Sequence, residues 1–72
     1  MSIDQANAAI KGIAGGPVVR ETFKYYPDAD EYVDGYIIHR WSYDRHAYVT
    51  SIFIHPDKLA EAINEFIIQF KD

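Results

Sequence analysis

The sequence contains no cysteine, so neither a disulfide nor a thiolate metal site can brace its 72 residues. Proline and glycine are scarce, at 3 and 4 residues. No linker or low-complexity tract interrupts the chain, which reads as a single domain over residues 1–72. No stretch approaches the roughly 20 apolar residues of a membrane-spanning helix. Basic residues are outnumbered, 7 Lys and Arg against 11 Asp and Glu, for a net charge of −4 and a pI near 5.1. The opening Met1-Ser2-Ile3-Asp4-Gln5 lacks the basic and apolar parts of a secretory leader, and a reducing, cytoplasmic setting is the expectation. What the chain does have is apolar and aromatic mass, 49 % and 15 %. That is too much for a disordered segment, and a core built from Tyr, Phe, Trp and Ile is expected.

Apolar spacing predicts a helix from Ser2 to Ala14, with Ile3, Ala6, Ala9, Ile10 and Ile13 on one face. Ser2 and Gln5 have the form of a capping box, and Gly15-Gly16-Pro17 ends the segment. Gly12 would fall in the last turn, at a cost of about 1 kcal/mol relative to alanine. Val18–Tyr26 reads as a strand with Val19, Phe23 and Tyr25 on one side, and Pro27-Asp28-Ala29-Asp30 as a turn. Two more strands follow, about Tyr32–Tyr43 and His46–Ile54, joined at Asp44-Arg45 or by a loop one or two residues longer. Gly35 marks a bulge or bend. His55-Pro56-Asp57 opens a closing helix whose buried stripe is Leu59, Ile63, Phe66, Ile67 and Phe70. The expected fold is α+β: a three-stranded antiparallel meander with a helix at either end, in the order α-β-β-β-α.

Pairing Tyr43 with His46 places Trp41 opposite Tyr48, His39 opposite Thr50 and Ile37 opposite Ile52. One sheet face then carries Ile37, His39, Trp41, Tyr48, Thr50, Ile52 and Ile54; the other carries Tyr36, Ile38, Arg40, Ser42, Ala47, Val49, Ser51 and Phe53. Neither face is plainly polar, and two short helices cover only one. A self-association surface through Ile37, Trp41, Tyr48 and Ile52 is therefore expected, giving a homodimer.

The segment from Tyr25 to Tyr36 holds Asp28, Asp30, Glu31 and Asp34 among four tyrosines and contains no base. Charge of one sign steers an encounter, and tyrosine rings supply contact area at low entropic cost. Asp57, Glu61 and Glu65 add an acidic stripe at i, i+4 and i+8, which slightly destabilises the last helix. An EF-hand register begun at Asp28 fails, with Val33 at its sixth position and His39 at its twelfth. His39 and His46 stand roughly 23 Å apart along a strand at about 3.3 Å per residue, and His55 sits at a helix mouth. No metal, cofactor or catalytic constellation is expected, and no enzymatic activity.

The strand and helix order resembles that of the double-stranded-RNA-binding domain. The corresponding helix start here reads Pro56-Asp57-Lys58-Leu59-Ala60-Glu61, one lysine between two acids. Direct nucleic-acid binding is therefore not expected, since such a surface repels phosphate. In size, acidity and lack of cysteine the chain is similar in style to phage-encoded antagonists of host defence, anti-CRISPR proteins included. The leading expectation is a stoichiometric inhibitor or adaptor that meets a protein with a basic surface. Its acidic residues would stand in for phosphates, with Tyr26, Tyr32 and Tyr36 as anchors. The alternative is a homodimeric structural or regulatory domain.

Overall fold

In the computed structural model, which describes residues 1–71, helix α1 spans Ile3–Ile10. The capping box forms: the Ser2 hydroxyl accepts from the Gln5 N–H at 3.1 Å, and the Gln5 side chain accepts from the Ser2 N–H at 2.9 Å. The helix stops short of the expected Ala14. Gly12 takes φ +92° just beyond the end, so it turns the chain and no interior-glycine penalty arises. Gly15 brings the following loop against the sheet, where its carbonyl accepts from the Trp41 N–H at 2.9 Å. A Cβ at Gly15 would run into the Trp41 carbonyl oxygen.

Strands β1 (Val18–Tyr26), β2 (Glu31–Ser42) and β3 (Ala47–Thr50) form an antiparallel sheet in that order. Val19 pairs with Ile38 and Tyr25 with Tyr32. Trp41 pairs with Tyr48 and His39 with Thr50, the register that the alternation predicts. The connecting loop is the longer alternative, Tyr43–His46, because His46 takes a left-handed φ of 50° and Ser42 accepts from the Arg45 N–H at 3.3 Å.

The strand expected to continue to Ile54 breaks after Thr50. The Ser51 hydroxyl accepts the Ile38 N–H at 2.9 Å, in place of a backbone carbonyl. Pairing then resumes between Tyr36 and Ile54, one residue out of step, with hydrogen bonds of 2.9 and 2.8 Å. This bulge corrects the expected faces. Ile54 turns to the helix side and is buried, and Phe53 turns to the other side, where its ring lies over Gly35.

A 3₁₀ turn at Pro56–Lys58 leads into α2, Leu59–Phe70. Asp57 therefore lies outside α2, and the expected acidic stripe reduces there to Glu61 and Glu65. The core joins Ala6, Ile10 and Ile13 to Val19, Ile38 and Ile54 of the sheet region and to Leu59, Ile63 and Phe66 of α2. Burying each larger side chain is worth about 1.5–3 kcal/mol. Ile67 and Phe70 complete the α2 stripe at its margin. Asn7 docks α1 on the free edge of β1: its side-chain oxygen accepts the Val19 N–H at 2.7 Å, and its amide donates to the Val19 carbonyl at 3.3 Å. Neither helix is long and apolar enough to cross a membrane.

Candidate functional site

The eight residues of α1 span about 12 Å at 1.5 Å per residue. The nine of β1 run about 30 Å at roughly 3.3 Å per residue. A helix of that length cannot cover such a strand, so the far half of the β1–β2 hairpin projects without a layer above it. Val19 is buried, but Phe23 and Tyr25, which share its side of the sheet, are 63 % and 42 % exposed. Opposite them Tyr32 is 67 % exposed. Its ring centroid lies 5.3 Å from that of Phe23, edge-on, and 4.9 Å from that of Tyr25.

The hairpin loop closes through the Ala29 and Asp30 N–H groups, which donate to the Tyr26 and Pro27 carbonyls, both at 3.2 Å. Asp30 takes φ +49°, a left-handed position that aspartate tolerates. The Tyr25 hydroxyl donates to Asp30 Oδ1 at 2.6 Å and ties the loop to the aromatic cluster. That bond to a carboxylate, with a lesser contribution from desolvation, holds the Tyr25 hydroxyl above the ordinary tyrosine pKa.

Asp28, Asp30, Glu31 and Asp34 are all exposed around this end. Among the described residues the ion pair within 4 Å is Lys58–Glu61, at 3.7 Å, and neither of its members belongs to the hairpin. The four hairpin carboxylates thus have no basic neighbour in contact among the described residues. Of the tyrosines that the sequence offers as anchors, Tyr32 stands free here. Tyr36 is half-buried against the core. Tyr26 is half-buried on the other side of the sheet, its hydroxyl 3.4 Å from His55 Nε2 and its ring 5.3 Å from Lys24 Nζ. Phe23 is a surface residue that the sequence does not single out as one, and Tyr25 enters the acidic segment only as one of its four tyrosines. The signal was Glu21 and Asp34, two carboxylates on the same side of the sheet, where a continuous core would have none.

Asp57, Glu61 and Glu65 are also exposed, but they form a separate group. Glu61 and Glu65 border a groove between α2 and β3 that takes no residue from the hairpin loop.

On the face away from the helices, Ile37 and Trp41 are half-buried and Tyr48 is 65 % exposed, while Ile52, at the bulge, is 88 % exposed and also borders the groove beside α2. The His39 ring stacks on Tyr48 at 5.0 Å, and Trp41 meets the same ring edge-on at 5.0 Å. Phe53 joins this side through the bulge. Among the described residues no three His, Cys, Asp or Glu side chains converge to hold a metal ion. Compared with protein-family models, curated proteins and solved structures, the chain matches none.

Proposed function

We propose that the chain is a small acidic binding module, an inhibitor or adaptor that acts stoichiometrically on a protein with a basic surface. The observation that supports this is the projecting hairpin end. Asp28, Asp30, Glu31 and Asp34, with no ion-pair partner among the described residues, surround the mutually packed and exposed Phe23, Tyr25 and Tyr32. The carboxylates speed and orient the encounter, and the rings supply rigid contact area. A protein that handles nucleic acid is the partner class that fits, because carboxylates on a protruding element can occupy sites meant for phosphates. Antagonism of such a host protein, in the manner of phage-encoded anti-CRISPR proteins, is the form this function takes. The test is a tagged pull-down from source or host lysate. It would compare the wild-type chain with a variant carrying Asp28→Asn, Asp30→Asn, Glu31→Gln and Asp34→Asn. A basic protein retained by the wild type and lost by the variant supports the reading. Equal retention by both removes it.

A homodimer is the second reading, favoured by the sheet face that no element covers. Ile37, Trp41, Tyr48 and Ile52 would meet their counterparts across a two-fold axis. Trp41→Ala should then convert dimers to monomers in sedimentation, whereas a wild-type chain that stays monomeric at millimolar concentration excludes this interface.

A further inference from the structure

On the helix side, α1 packs against β1 and α2, and neither helix is packed closely over β3. What remains between α2 and β3 is a groove of about 590 Å³, within the roughly 300–1,000 Å³ of ordinary small-molecule sites. Ile38 and Val49 line it from the sheet, and Phe66 and Phe70 line it from α2, with ring centroids 4.7 Å apart. Arg40 also lines the groove, half-buried, its guanidinium carbon 4.1 Å from the Phe70 ring centroid. Among the described residues no carboxylate lies within 4 Å of that guanidinium. A cation in such a setting has given up part of its hydration without gaining an anion among the described residues in return. At the rim, Lys58 offsets Glu61, which leaves Glu65 uncompensated.

We infer that this groove is a binding site for a small aromatic carboxylate. The ring lies against Phe66 and Phe70, and the carboxylate meets the fork of donors on Arg40 inside the groove, which matches its two oxygens. Glu65 opposes the approach and keeps the affinity below what Arg40 alone would give. The site does not depend on the acidic hairpin, and neutralising the hairpin leaves it unchanged.

The experiment titrates the isotope-labelled full chain with naphthoate and with the neutral naphthylmethanol, following backbone amide signals. Naphthoate should give saturable shifts confined to the segments around Ile38, Val49 and Phe66. It should bind at least about tenfold more tightly than the alcohol, which corresponds to about 1.4 kcal/mol. Arg40→Gln should abolish that preference, and Glu65→Gln should strengthen naphthoate binding alone. Ala62→Phe, which fills the groove without touching the charge, should block both compounds; it provides the test if Arg40→Gln does not fold. Absence of saturable shifts at millimolar naphthoate, equal affinity for the two compounds, or shifts confined to the outer sheet face would each overturn the proposal.

Discussion

Gly35→Ala tests the bulge that decides which face of the sheet each residue of the last strand occupies. A Cβ at this position would stand 2.5 Å from the Ile54 carbonyl oxygen and closer still to the Phe53 ring. The ring can swing away; the carbonyl cannot, because it accepts the Tyr36 N–H at 2.9 Å. Overpacking of this kind costs about 1–3 kcal/mol, and replacing glycine returns about 0.4–1 kcal/mol through the unfolded chain. The net loss is then about 0–2.6 kcal/mol with a central value of about 1.3 kcal/mol, which lowers Tm by roughly 5–10 °C for a domain of this size. Thermal unfolding followed by circular dichroism measures it directly. Phe53→Leu in the Gly35→Ala background should recover part of the loss, since it relieves the ring contact and leaves the carbonyl contact. That coupling should reach about 0.5 kcal/mol or more in a double-mutant cycle. A raised Tm for Gly35→Ala, or no coupling to Phe53, would refute the packing of Phe53 over Gly35.

Asn7→Ala should cost about 1–3 kcal/mol by leaving two half-buried backbone groups of Val19 unpaired, and it should speed hydrogen exchange at the Val19 amide. An unaltered exchange rate there would show that α1 is held on β1 by apolar contact alone. The Tyr25 hydroxyl has a folded-state pKa above its unfolded one, so its bond to Asp30 stabilises the hairpin below the ordinary tyrosine range. That contribution is lost as pH rises through the folded value. An absorbance titration should therefore show one late-ionising tyrosine that disappears in Tyr25→Phe, and a curve of the same form in both proteins would count against the contact.

Much of the fold was legible because periodicity and turn chemistry agree along the chain. The α2 stripe of Leu59, Ile63 and Phe66 follows from spacing alone, and the β2–β3 register follows from placing a turn between Tyr43 and His46. The bulge was not legible at its true place. It depends on the Ser51 hydroxyl taking a backbone hydrogen bond, a tertiary choice that alternation cannot express, and it moved Phe53 and Ile54 to the opposite faces. Gly12 looked like a weak point inside a helix because its left-handed φ is set by where the chain must turn next. The acidic loop was visible as composition. Its aromatic partners Phe23 and Tyr25 were visible only as sharing a strand face with Val19, since their exposure follows from the short helices failing to reach the end of a long hairpin. A comparison of helix and strand lengths would have found them.

The hairpin end is the proposed contact surface. Its most direct test is the affinity of the captured partner for the wild-type chain and for the four-carboxylate variant, measured at about 50 and 300 mM salt, where screening differs strongly. The wild type should bind tightly at low salt and weaken steeply at high salt, with the variant weak and nearly flat across both. Equal affinities for the two proteins at both salt concentrations would contradict the account and leave those carboxylates as solubilising charge.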